Sequence, residues 1–125
     1  MKEAIERMDS GILFVLLGEK EKGTELIQKN EAAFERALQV ELNNITLPEE
    51  GKKAHHLQDL FKQYQITLHE IQGKGTHISP KRDAYFNKLF PLFVQIKETA
   101  DEILQMNQKN MSDANDLARR SAASA

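Results

Sequence analysis

Residues 54–71 carry apolar side chains at spacings that alternate between three and four without a miss. This spacing places the side chains on one face of an α-helix, and it is the pattern by which helices pack against other helices. The face consists of Ala54, Leu57, Phe61, Tyr64, Leu68 and Ile71. The sequence therefore predicts a long amphipathic helix that requires a partner helix.

Two other helices are predicted before this one, and glycine and proline residues separate the segments. Residues 4–17 form a predicted first helix, and the polar run 18–23, with glycine at both ends, predicts a tight connection. Thr24 is the expected N-cap of a second helix that ends near Asn44. Pro48 fits the first turn of the third helix, because proline lacks the N–H that a first turn leaves unbonded.

The fourth predicted helix is the longest. Ser79 and Pro80 form an N-cap and first-turn pair, and the helix is expected to run to about Arg120. Pro91 predicts a kink or a restart within it. The predicted inward face, which loses apolar character toward the C-terminus, comprises Phe86, Phe90, Phe93, Ile96 or Lys97, Ala100, Leu104, Asn107, Met111, Ala114 and Ala118.

Four amphipathic helices with short connections predict an all-α, antiparallel up-down-up-down four-helix bundle with a long C-terminal helix. Residues 1–125 are expected to form this single domain, with both chain ends at the same pole. The fourth helix would be roughly 60 Å long at a rise of 1.5 Å per residue, more than twice as long as the first. This mismatch, and a first helix that begins in the middle of a heptad, lead us to expect a fragment of a larger protein.

The composition excludes several classes of function. With 17 basic and 19 acidic side chains the net charge is −2, so the chain lacks the basic field by which proteins hold nucleic acid. The longest apolar run, residues 12–17, is far shorter than the roughly 20 residues that cross a bilayer. No cysteine, glycine-rich phosphate loop or nucleophile elbow is present. We therefore expect no nucleic-acid partner, no cofactor and no enzymatic activity in these residues.

Several short segments, taken together and in order, resemble a known family. They are residues 8–19, residues 44–49 with 57–64, and residues 106–119. These segments are similar to the extracytoplasmic four-helix sensor domain of KinB-type bacterial sensor histidine kinases, and the resemblance covers nearly the whole chain.

The resemblance implies a particular place for the domain in a longer protein. In that family the domain lies between two transmembrane helices, and the segment that resembles residues 111–120 leads into the second of them. It implies a periplasmic, homodimeric, non-catalytic sensor domain of a bacterial inner-membrane protein. The phosphoaccepting histidine and the ATP-binding domain would then lie in other parts of the parent chain.

The strongest candidate for a ligand site is the basic segment at the predicted start of the fourth helix. Lys74, His77, Lys81 and Arg82 lie close together in the sequence there. Helix N-termini carry partial positive charge, so basic residues are disfavoured there unless an anion is to be held. We predict that these four residues bind a small anion such as phosphate or a carboxylate. The alternative is a basic loop that is merely solvated.

None of the four histidines has the pattern of a metal ligand. In helix bundles that bind metal, a glutamate usually stands three residues before each histidine. Here the residues in that position are Lys52, Lys53, Ile66 and Lys74, so no metal site is predicted. His69, followed by Ile71 and Gly73, partly matches the motif around the phosphoaccepting histidine of phosphotransfer domains. The match is incomplete, because Gly73 and Pro80 end the helix soon after His69.

Asn107 stands on the apolar stripe of the fourth helix, where a polar side chain is unexpected. A polar residue in a helix interface specifies register at some cost in stability, and it permits alternative packings of similar energy. We predict that Asn107 is a polar core position used in signalling. The alternative is that it faces water.

The predicted function is signal input. The bundle would detect a small molecule or a protein partner and change the packing of its first and last helices, which the resemblance connects to the two membrane spans. One alternative is the ligand-binding domain of a chemoreceptor. The other, in a different class, is a histidine phosphotransfer domain that uses His69.

Overall fold

The computed structural model describes residues 1–73 and 77–124, with side chains described as far as residue 120, and all the regular structure in these ranges is helical. The helices are α1 (Lys2–Leu16), α2 (Lys20–Asn43), α3 (Pro48–Gly73), α4 (Ile78–Ala84) and α5 (Phe90–Ser124), with a π-helical turn (Tyr85–Leu89) between α4 and α5. The prediction of an all-α fold with a long C-terminal helix is confirmed.

The heptad of α3 forms the centre of the core. All six of its predicted inward side chains are buried, and Tyr64 and Leu68 are inaccessible to solvent. The ring of Phe61 stacks on that of Phe34 from α2, with centroids 4.0 Å apart. Full burial of an apolar side chain of this size contributes roughly 1.5–3 kcal/mol, so this face accounts for much of the stability of the domain.

α1 and α2 approach each other closely through two glycines. Gly11 and Gly23 are both buried, and a Cβ atom on Gly23 would lie 2.4 Å from the carbonyl oxygen of Gly11. The prediction that residues 18–23 form the connection is therefore wrong, as is the N-cap at Thr24. α2 begins at Lys20, and the turn is made at Gly18, whose φ of +93° is one that glycine adopts readily. Gly23 serves helix packing.

The fourth predicted helix is interrupted just before Pro91. In the π-helical turn the N–H of Phe90 donates to the carbonyl of Tyr85, five residues back. Pro91 follows directly and has no N–H to donate, so one backbone hydrogen bond of the helix is missing there. The extra residue of the π-helical turn is therefore inserted at a point where the regular hydrogen bonding of the helix is already interrupted. The predicted restart lies here, although α4 begins at Ile78, slightly before the predicted Ser79 and Pro80.

The π-helical turn also changes which side chains face inward. Phe86 and Phe90, predicted to be inward, are 58% and 41% exposed, whereas Tyr85 and Leu89 are buried in their place. After the turn the predicted stripe holds as far as Ala100 and then fails at Leu104, which is 52% exposed. All the side chains of residues 108–120 are exposed, and at the start of this stretch Lys109, Asn110 and Asp113 line a surface groove with residues 47–49.

The remaining helices enclose the α3 face. α1 packs chiefly on α2, α3 packs chiefly on α5, and α1 also contacts α5. Within the described residues, none of the helices is long and apolar enough to cross a membrane.

Candidate ligand site

A cavity of about 370 Å³ lies where α1, α2, α3 and α4 meet. Apolar side chains from α1 and α2, Val15 and Ile27, form part of its wall. The polar side chains that line it are Lys20, Thr24, Gln28 and Glu31 from α2, His69 and Gln72 from α3, and Lys81 from α4. The cavity therefore combines two lysines, one carboxylate and several hydrogen-bonding groups.

Lys81 is the unusual member of this set. It is only 8% exposed, and it makes no hydrogen bond or ion pair with any residue that the structure describes. Its position follows from α4, where Ala84 and Tyr85, three and four residues on, are also buried. The side chain of Lys81 is thus largely covered and has no described counter-charge, so a negative charge in the cavity would be attracted to its ammonium group.

Glu31 and His69 form the opposite part of the wall. The Nε2 atom of His69 lies 3.4 Å from Oε2 of Glu31, and Gln65 donates to the same carboxylate oxygen at 3.1 Å. The His69 side chain is 60% exposed, whereas that of Glu31 is 17% exposed. Glu31 therefore accepts a hydrogen bond from Gln65 and adjoins His69, and the two lysines are the groups in the cavity that could attract an anion.

The structure brings together only part of the predicted anion site. Lys81 lines the cavity, but His77 and Arg82 are exposed and are not among the residues that line it. Lys74 lies outside the described residues. The groups that accompany Lys81 come from α2 and α3, far away in the sequence. Sequence analysis missed Lys20, Gln28 and Glu31 because polar residues on a helix are indistinguishable from a solvated face without knowledge of the packing.

Asn107 is half-buried and contacts a part of the molecule that the sequence did not single out. Its Nδ2 atom donates to Oε2 of Glu41 on α2, with a separation of 3.5 Å. The other carboxyl oxygen of Glu41 is buried and has no hydrogen-bond partner among the described residues. Glu50, at the start of α3, is 1% exposed and lies within hydrogen-bonding reach of Glu41. A pair of carboxyl groups, one half-buried and one buried, thus adjoins Asn107.

The pKa values of Glu41 and Glu50 are shifted in opposite directions. Burial, the hydrogen bond with Glu50 and the negative charge of Glu50 together raise the pKa of Glu41 to about 7. The hydrogen bond from Glu41, joined by bonds from Thr46, lowers the pKa of Glu50. Glu41 is therefore the member that carries the proton at mildly acid pH.

A second buried polar contact ties α1 to the π-helical turn. The hydroxyl of Tyr85 donates to Oδ1 of Asp9 at 2.6 Å. Burial raises the pKa of Asp9, while the bond from Tyr85 and the positive charge of Lys97 oppose that rise. The register change in the last helix therefore occurs at a residue that is anchored to α1.

In the parts of the chain that the structure describes, His, Asp and Glu side chains form no group of three that could hold a metal ion. Comparisons of the chain with protein-family models, curated proteins and solved structures find no match.

Proposed function

We propose that this chain is the extracytoplasmic signal-input domain of a KinB-type bacterial sensor histidine kinase, and that a small anion binding beside Lys81 is its signal. The resemblance of several segments to that family supports the first part. The observation that carries the second part is Lys81 itself, a lysine that is only 8% exposed, has no partner among the described residues and lines a cavity.

The cavity suits a small anion such as phosphate or a carboxylate. Lys81 supplies a charge in the cavity, and the exposed Lys20 supplies a second charge at its edge. Thr24, Gln28 and Gln72 add hydrogen-bonding groups. The volume of about 370 Å³ lies at the small end of the range of ligand sites, so a compact ligand fits best.

Signal transmission follows from the continuity of the chain after Lys81. We propose the up-down-up-down arrangement, in which both chain ends lie at one pole and the parent chain continues into two membrane spans. α4, the π-helical turn and α5 follow one another without a break, so a movement of Lys81 toward an anion acts directly on α5. The bond from Tyr85 to Asp9 couples the same movement to α1.

We also propose that the parent protein is a homodimer. Residues 108–120 of α5 are exposed along their whole length, and Met111 and Leu117 are more than 60% exposed. A helical stretch of this length that lacks tertiary packing is marginally stable in water. A second copy of α5 would supply that packing.

Of the two alternative functions, the chemoreceptor domain agrees with the geometry as well as the kinase sensor does, and the phosphotransfer domain agrees less well. A chemoreceptor ligand-binding domain would use the same cavity, and only the parent chain distinguishes it. Phosphotransfer by His69 is less favoured, because its Nε2 atom lies 3.4 Å from the Glu31 carboxylate rather than on an open helix face. His69 also stands only four residues before the end of α3.

The proposal is tested by titrating the 125-residue chain with inorganic phosphate and with acetate, using isothermal calorimetry. Lys81→Met removes the charge and retains the apolar stem, and it is expected to weaken binding by about 10-fold to 100-fold, the equivalent of one charge-assisted hydrogen bond. Arg82→Met is the matched control, because Arg82 is an exposed neighbour on the same helix.

We expect less than about a twofold change for Arg82→Met, because an exposed charge outside the cavity adds little. Equal binding by the wild type and Lys81→Met, or no binding of either anion by the wild type, would contradict the proposal. The sensor assignment is tested separately, by examining whether the parent gene encodes an apolar segment of roughly 20 residues on each side of this region.

A further inference from the structure

We propose that Glu41 and Glu50 form a proton-binding site that joins α2, α3 and α5, and that it gives the domain a second input, external pH. This input lies outside the anion cavity and does not depend on it. The cavity residue on α2 that is nearest to Glu41 in the sequence is Glu31, ten positions away, roughly 15 Å along the helix axis.

The two carboxyl groups are held in place by different parts of the chain. Glu50 is the third residue of α3, and its Oε1 atom accepts hydrogen bonds from the N–H of Thr46 at 3.3 Å and from the hydroxyl of Thr46 at 3.4 Å. Glu41 reaches the same region from the last turn of α2, where its Oε2 atom receives the bond from Asn107. The pair therefore touches α2, α3 and α5 at once.

The unbonded oxygen of Glu41 indicates where the proton belongs. Oε1 of Glu41 is buried, and no described residue donates a hydrogen bond to it. Two carboxylates in contact repel each other, and Glu50 is only 1% exposed, so the pair holds a proton more tightly than an isolated carboxyl group does. A proton on Glu41 makes it a donor to Glu50, and it satisfies the buried oxygen and removes the repulsion in one step.

The charged groups around the pair do not replace that proton. Glu41 and Asn107 line a small cavity of about 220 Å³ to which α1 and α5 also contribute. Lys2, the nearest cation on α1, is bonded to Asp101 of α5 at 3.1 Å. On α3, Lys53 is bonded to Glu102 and Lys52 lies 3.5 Å from Glu49. The charged and titratable groups that line this cavity with Glu41 are the Met1 amine, Lys2, Glu3 and Asp101.

Loss of the proton would therefore loosen the contact between α2 and α3 at their corner. With the pKa of Glu41 raised to about 7, the pair holds one proton at pH 6 and has largely lost it at pH 8. The second negative charge then lies beside Glu50, while the amide of Asn107 on α5 donates to a charged acceptor and binds it more strongly. Because α5 is the proposed output helix, the proton would bias the same element that the anion acts upon.

The direct test is to follow the side-chain carboxyl ¹³C resonances of the wild-type chain by NMR from pH 4 to 9. We expect one glutamate, assigned to Glu41, to titrate near neutrality. In Glu50→Gln the like charge is replaced by an amide donor, so the Glu41 resonance should titrate at a clearly lower pH. A Glu41 resonance that titrates in the ordinary glutamate range in the wild type overturns the proposal.

The consequence for the α2–α3 corner is tested by amide hydrogen exchange at Gly51, whose N–H donates to the carbonyl of Leu47, corrected for the intrinsic pH dependence of exchange. Between pH 6 and pH 8 we expect protection in the wild type to fall by up to about tenfold, because one pKa unit corresponds to a tenfold change in an equilibrium. In Glu41→Gln the amide donates to Glu50 at every pH, so protection should be high and independent of pH.

Glu49→Gln is the matched control, because Glu49 precedes Glu50 on α3 but is exposed. It should retain the pH dependence of the wild type. Protection in the wild type that does not differ between pH 6 and pH 8, or a pH dependence that survives in Glu41→Gln, would overturn the proton site.

Discussion

The molecule buries charge in two places, and the two places satisfy it in different ways. At one end Lys81 is a single buried cation with no described partner, beside a cavity large enough for a small molecule. At the other end Glu41 and Glu50 are two like charges that adjoin each other. A lone cation is satisfied by an anion from outside, whereas a pair of carboxyl groups is satisfied by one proton. The contrast leads us to expect two separate inputs.

The largest expected effect comes from adding a side chain at Gly23, where α1 and α2 are in close contact. In Gly23→Ala the new Cβ would lie 2.4 Å from the backbone oxygen of Gly11, so the two helices must move apart. We expect a loss of roughly 2–3 kcal/mol in the free energy of unfolding, measured by chemical denaturation, as is typical of overpacking.

The same variant sharpens the comparison between the two ends. Gly23 adjoins Thr24 and lies near Val15, both of which line the anion cavity, so phosphate binding should weaken. Glu41 lies about 27 Å further along α2, so its titration should not change. Equal disturbance of both sites would show that the two ends are not independent.

The second expected effect is a change in how stability depends on pH. Glu41 has a raised pKa, so the folded state holds a proton that the unfolded chain releases near its ordinary value of 4.5. Stability therefore falls as pH rises from about 4.5 to 7 and stays low above that. Glu50 has a lowered pKa and acts in the opposite sense, so its contribution is lost only as pH falls below its ordinary range.

Glu41→Gln should remove the loss between pH 5 and 8. We expect the wild type to lose about 1–2 kcal/mol over this interval, less than full linkage gives, because Glu41 is only half-buried and water screens part of the interaction. Thermal unfolding at a series of pH values measures the difference. A wild-type stability that increases from pH 5 to pH 8 would contradict the raised pKa of Glu41.

The smallest expected effect concerns the link between the π-helical turn and α1. Tyr85→Phe removes the 2.6 Å hydrogen bond to Asp9 and leaves that carboxyl half-buried. We expect a cost of about 1 kcal/mol and a further rise in the pKa of Asp9, measured by denaturation and by carboxyl NMR. The anion affinity and the Glu41 titration should both be unchanged within error. A large change in either would assign Tyr85 to one of the two sites.

The sequence pattern predicted those parts of the fold that depend on local periodicity. The α3 heptad is buried at all six positions because its period is set by the helix alone. The face of the last helix was predicted incorrectly at Phe86 and Phe90, because a π-helical turn inserts a residue and shifts every position across it. Gly23 was taken for a turn residue because a glycine required for helix contact has the same sequence signature as one required for a turn.

The candidate sites were less accessible to sequence analysis. Lys81 was singled out because a basic residue opposes the helix dipole, but the groups around it come from helices far away in the chain. Glu50 was consistent with a simple preference for acid in the first turn of a helix. Its burial beside Glu41 depends on how the α2–α3 corner folds, which no local pattern encodes. Asn107 was noticed as a polar residue in an apolar stripe, and the structure supplies its partner.

The most direct test of the central claim is to follow the ¹⁵Nζ resonances of the lysines by NMR while inorganic phosphate is added to the wild-type chain. We predict a saturable shift for Lys81 and a smaller one for Lys20, with only a weak, linear change for the exposed Lys88 on the π-helical turn. A response of Lys81 that is no different from that of Lys88 would mean that its charge meets only the solvent ions, and it would contradict the assignment of the cavity as an anion site.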